Sequence, residues 1–118
     1  MAITIHLDSG AALEPGSEVR GRVDWQAAVE RPETVMISLL WYTEGKGTED
    51  VEIVDQVELD DPPASGSREF SFTLPDFPWS FSGTLVSVLW RVEASIEPDG
   101  GGEHVGLVSA PGGEEIRI

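Results

Sequence analysis

The sequence predicts an all-β fold, an antiparallel two-sheet sandwich of seven or eight strands. Apolar residues recur at every second position through most of the chain, the period of a strand whose successive side chains point to opposite faces. No window sustains the i, i+3, i+4, i+7 spacing of an amphipathic helix. Clusters of Gly, Pro, Asp and Ser punctuate the alternating runs, as turns do between short strands. The runs differ in length and sequence, so no repeat architecture is indicated.

Ile3, Ile5 and Leu7 share one face of the first run, with His6 opposite them. Residues 8–16 follow as a turn-rich connection holding Gly10, Pro15 and Gly16. Val19, Gly21, Val23 and Trp25 then alternate with Glu18, Arg20, Arg22 and Asp24, the pattern of a half-buried strand with a charged solvent side. Residues 34–43 are apolar on both faces: Val35, Ile37, Leu39 and Trp41 on one, Met36, Leu40 and Tyr42 on the other. Such a strand is central in its sheet, with material over its second face. Residues 44–48 (Glu-Gly-Lys-Gly-Thr) read as a hairpin turn. Val51, Ile53, Val57 and Leu59 lie in phase along the next strand, and Asp55 interrupts them, which predicts a bulge or an edge. Residues 60–67 are a loop by composition.

The stretch 69–96 holds two alternating patterns around a proline-punctuated corner. Phe70, Phe72 and Leu74 form one apolar face, and Val86, Val88, Trp90, Val92, Ala94 and Ile96 form another. Pro75 and Pro78 stop the ladder between them, since proline has no N–H to donate. Residues 97–102 break the chain again. A weak strand near residues 104–109 and a terminal one over 114–118 complete the count.

At 118 residues the chain has the size of one domain, taken as 1–118, and buries roughly 65% of its unfolded surface. It lacks an apolar run long enough for a membrane span, and its first residues read as a strand rather than a signal peptide. Without cysteine there is no disulfide framework and no thiolate metal site, which makes a cytoplasmic location the expectation. The net charge of −15 is spread evenly, −8 over residues 1–59 (12 acids, 4 bases) and −7 over residues 60–118 (10 acids, 3 bases). Only Arg20 and Arg22 stand close together, so clustered cations for nucleic acid or anionic membrane are missing.

Two motifs resemble the arrestin-like fold family. One is Glu14-Pro-Gly-Ser-Glu-Val-Arg-Gly-Arg-Val23. The other is Phe70-x-Phe72-x-Leu74-Pro75-x-x-Pro78-x-Ser80-Phe81, followed by Gly83 and by Val88-x-Trp90-x-Val92-x-Ala94-x-Ile96. Together they cover about a third of the chain in the family's order. The resemblance implies the fold and a scaffolding or adaptor role with a protein partner. Arrestins pair two such sandwiches, whereas this chain has length for one. The basic residues of the arrestin phosphate sensor have no counterpart here, and there is no Pro-Pro-x-Tyr motif.

Chemistry-bearing constellations are sparse. His6 and His104 are the only imidazoles, the first reading as a solvated strand histidine and the second as a loop histidine. No nucleophile elbow accompanies them. No catalytic residue, metal ligand set or cofactor is therefore expected, and the acidic pairs Glu49/Asp50 and Asp60/Asp61 read as solvated loops. Trp25, Trp41 and Trp90 are in phase with core faces, where each indole N–H needs an acceptor. Two surfaces stand as candidates. Phe77, Trp79 and Phe81 either cap the sandwich or form a platform for a peptide or sugar. Leu40, Tyr42 and Leu89 form an apolar patch on the outside of one sheet if they point outward, suited to a homodimer or another protein. A carbohydrate-binding sandwich and an immunoglobulin-like structural module that pairs with another chain are the competing functions.

Overall fold

The computed structural model describes residues 2–27, 32–45, 49–98 and 101–117. Ten strands occur among them: β1 (Ala2–Leu7), β2 (Ala12–Leu13), β3 (Glu18–Gln26), β4 (Thr34–Gly45), β5 (Val51–Asp60), β6 (Ser65–Thr73), β7 (Phe81–Ser82), β8 (Val86–Glu97), β9 (Gly101–Ser109) and β10 (Ile116–Arg117). Seven are long, as the alternation predicts, and β2, β7 and β10 are two-residue ladders that no period announces. Sheet I has the order β1–β3–β6, and sheet II the path β10–β7–β8–β4–β5, with β9 on β8 and β2 on β9. The long pairs are antiparallel, whereas β10 on β7 and β2 on β9 are parallel.

The core lies between the sheets. Val19, Val23 and Trp25 of β3 and Phe70 and Phe72 of β6 face Val35, Ile37 and Leu39 of β4 and Trp90, Val92, Ala94 and Ile96 of β8, all buried. Strand β4 is central, bonded to β8 on one side and β5 on the other. Trp25 and Trp90 are buried as expected and their indoles donate to the carbonyls of Pro63 (3.0 Å) and Pro78 (2.9 Å). Trp41 is only half-buried, at the end of the core face.

Strand β6 starts earlier than composition predicts, at Ser65. Gly66 pairs with Trp25 there, and a Cβ at Gly66 would come within 2.7 Å of the Trp25 ring. The glycine that reads as a loop signal makes room for an indole instead. Strand β9 likewise begins inside the glycine run, with Gly101 opposite Ile96. His104 therefore lies on a strand opposite Glu93 rather than in a loop, and it is exposed. The expected hairpin turn falls largely on residues 46–48, outside the described residues. The flanking strands pair up to Tyr42 and Val51, and the Thr43 N–H donates to the Asp50 carbonyl (2.9 Å).

Both the bulge and the edge predicted at Asp55 are present. Leu39 pairs with Asp55 and Leu40 with Ile53, leaving Val54 as the extra residue of β5. Val54, Val57 and Leu59 pack against the core, while Val51 and Ile53 are turned to the outer face, 62% and 53% exposed. An in-phase apolar series is thus divided between two faces by one residue.

Strands β5 and β6 are bonded on one side only among the described residues. Each carries a charge at a core-side position of its free edge. Asp55 is opposite Leu39, Arg68 is opposite Val23, and both are exposed. Inward-pointing charges and bulges block a further strand from adding. On the outer face of sheet I, His6 and Arg22 approach the Asp24 carboxylate at 3.2 and 3.1 Å. A hydrogen bond from Ser67, with Arg22 and His6 adding to it, holds that carboxyl below its ordinary value.

Candidate functional site

The corner between β6 and β7 is built on backbone anchors. Leu74 is buried, and its N–H donates to Ser17 O (2.9 Å) while Gly16 N–H donates to Leu74 O (3.1 Å). Pro78 offers its carbonyl to Trp90. Ser80 is buried at 1% exposure and binds three ways. Its N–H donates to Ser109 O (2.8 Å), its Oγ accepts from Ser109 N–H (3.0 Å), and its carbonyl accepts from Ile116 N–H (3.2 Å). Prolines at 75 and 78 suit this path, since their missing N–H groups ask for no ladder partner.

These anchors turn the neighbouring side chains outward. Phe77 is 70% exposed and stacks on Trp79 with ring centroids 5.3 Å apart. The Trp79 indole donates to the Asp76 carbonyl (2.7 Å), which fixes the ring. Phe81 pairs with Ile116 of β10. Phe77, Pro78, Trp79, Phe81 and Ile116 together line an open apolar cleft of about 350 Å³. The backbone of the corner closes the end of the core, while Phe77 stays exposed and the Trp79 and Phe81 side chains are half-buried beside it. Pro78 and Ile116 are additions to the expected set. Ile116 arrives from 35 residues away through a two-residue parallel ladder, a contact with no local signal.

The second candidate differs from its expectation. Tyr42 is opposite Leu89, and Leu40 is opposite Arg91, so the three residues do share the outer face of sheet II. Leu40 is nevertheless buried, at 2% exposure. Its neighbours on that face are Ser38, Tyr42, Ile53 and Arg91, and the Arg91 guanidinium lies 4.5 Å over the Tyr42 ring and pairs with Glu93. Gln56 donates to Ser38 Oγ (2.9 Å) beside them. The chain's own polar side chains thus supply the cover that a doubly apolar strand requires. Tyr42 and Leu89 are half-buried, and the apolar surface left open belongs to Val51 and Ile53. Asp55, the break in the β5 pattern, was the one sequence sign of that shift.

Among the described residues no cluster of three or more His, Asp or Glu could hold a metal ion. No described helix is long and apolar enough to cross a membrane.

The two-sheet architecture with this corner is an arrestin-like fold. It is similar to the crystal structure of Spo0M, a sporulation control protein from Bacillus subtilis, with a TM-score of 0.60 and 18% identity over 92% of this chain. The match takes in 48% of the Spo0M chain, so this chain spans about half that length, and at such identity the likeness shows the fold alone. A β-glucosidase from Listeria innocua, solved with gluconolactone, matches with a TM-score of 0.49 and 13% identity over 98% of this chain and 16% of the enzyme, and carries no argument about activity. No protein-family model and no curated protein matches the sequence.

Proposed function

We propose that this arrestin-like chain is a non-enzymatic adaptor domain that binds protein through the apolar corner. The observation that carries the reading is the exposed Phe77 ring stacked on a half-buried Trp79 beside a cleft lined only by apolar side chains. Covering Phe77 alone offers about 1–2 kcal/mol, and aromatic anchors of this kind dominate protein interfaces. The one lining indole N–H is bound to the Asp76 carbonyl, so hydroxyl partners for a sugar would have to come from carboxylates around the cleft, and the apolar lining itself favours a hydrophobic side-chain anchor.

Two other routes are weaker. Strand addition at β5 or β6 meets the bulge, Asp55 and Arg68. Homodimerisation through Val51 and Ile53 brings together two chains of net charge −15. Panning a displayed peptide library against the wild type and a Phe77→Ser/Trp79→Ser variant tests the proposal. Selected peptides should bind the wild type and lose the variant. Peptides that bind both equally, or a glycan that shifts the corner resonances in NMR spectra, would refute it.

A further inference from the structure

The cleft is apolar, but its rim is charged. Asp76 immediately precedes Phe77, and its carboxylate sits beside Gly16. Glu14, one residue before Pro15-Gly16, accepts from the Gly112 N–H (3.2 Å) on the turn that delivers β10. Glu114 stands two residues before Ile116 and is exposed, whereas the Glu115 carboxylate accepts from the Ser82 hydroxyl and lines a separate hollow with Tyr42 and Leu89. Against Asp76, Glu14 and Glu114 the described residues of the segments that carry them supply one cation, Arg117, opposite Ser82.

Resting on the reading of the corner as a protein-binding site, we propose that its partner is a basic segment with an apolar anchor. One bulky aliphatic or aromatic side chain enters between Phe77, Trp79, Phe81 and Ile116, and Lys or Arg residues on its flanks meet Asp76 and Glu14 on one side and Glu114 on the other. The division of labour follows from the physics. The apolar contact supplies the bulk of the affinity, while exposed charges each contribute little in equilibrium but speed encounter and reject acidic partners. An acidic segment would be repelled both by the rim and by the chain's net charge of −15.

Three synthetic peptides test this, sharing one Phe-Leu centre and differing only in flanks of Lys/Arg, Ser/Gly or Asp/Glu. Each is titrated calorimetrically against the full chain at about 0.1 M and about 1 M salt, where the Debye length falls from ~10 Å to ~3 Å. The basic peptide should bind about tenfold more tightly than the neutral one at low salt and lose that advantage at high salt, and the acidic peptide should bind weakest. The double substitution Asp76→Asn/Glu114→Gln should shrink the basic preference and leave the neutral peptide unaffected. Phe77→Ser/Trp79→Ser should abolish binding of all three. Equal affinity for the three peptides overturns the charge inference and leaves the protein-binding reading standing. Binding of none overturns both. Undiminished binding of the basic peptide to the Phe77→Ser/Trp79→Ser variant also overturns the inference, since diffuse surface acidity then accounts for it.

Discussion

Leu40 faces away from the core yet is 2% exposed, and truncating it measures how firmly the outer face of sheet II is closed. A buried Leu→Ala substitution costs about 2–5 kcal/mol. Only one layer of side chains covers Leu40, and the long Arg91 side chain over Tyr42 can settle into part of the space, so the lower part of that range applies, ~2–3 kcal/mol. Ile53, its cross-strand neighbour, is 53% exposed, and Ile53→Ala should cost only about 1 kcal/mol. Urea unfolding followed by tryptophan fluorescence compares the two, with unchanged m-values as the sign that the unfolded states are alike. For a domain of this size the Leu40→Ala cost corresponds to a fall of roughly 10 °C in Tm, against a few degrees for Ile53→Ala. The reasoning fails if the two variants lie within about 0.5 kcal/mol of each other. It fails equally if Leu40→Ala leaves stability unchanged and alters only self-association, for Leu40 would then be an interface residue.

Trp90→Phe removes the indole donor to Pro78 O and shrinks a fully buried side chain, so a loss of ~2–3 kcal/mol is expected, with weakened near-UV circular dichroism from the corner aromatics. Arg68→Val replaces the inward charge of the free β6 edge by an apolar residue. Monomer stability should change little while concentration-dependent association appears in sedimentation, and a variant that stays as dispersed as the wild type would count against the edge-blocking role. Asp24 should titrate below its ordinary value of 3.8 in carboxyl-carbon NMR, and Ser67→Ala should raise it. Because the folded-state value is depressed, the stabilisation from Asp24 is present above the unfolded value and disappears as pH falls through the folded one. Wild type and Ser67→Ala should therefore differ at neutral pH and converge in acid below the ordinary carboxylate range.

The sequence was most legible where one face of a strand is buried and the other solvated. Val19, Gly21, Val23 and Trp25 alternate with charges because sheet I faces water, and the register follows at once. Strand β8 was legible for the same reason. Reading failed where tertiary contacts replace local pattern. Gly66 and Gly101 look like turn residues, yet one accommodates the Trp25 ring and the other opens a strand against Ile96. Leu40 reads as an exposed contact because its period is right, while the residues beside it on that face, Tyr42 on β4, Arg91 on β8 and Ile53 on β5, are set by tertiary pairing. At the corner the aromatic wall was visible in 77–81, whereas Ile116 was not, since a two-residue parallel ladder leaves no period to read. Proline and glycine patterns marked where the chain turned but not which remote residue met the turn.

Ser80 has a consequence for how the corner behaves as a thermodynamic unit. One serine joins the corner to the end of β9 and, through Ile116 N–H, to β10. Undocking β10 would remove a wall of the cleft and one of the three bonds at once. Occupancy and docking are therefore linked by mass action: a ligand that needs Ile116 favours the docked chain by RT ln(1 + [L]/Kd), and weakened docking lowers apparent affinity by the same coupling. Ser80→Ala, which removes the hydroxyl that accepts from the Ser109 N–H and lies outside the cleft lining, would act on recognition through the anchoring of the corner.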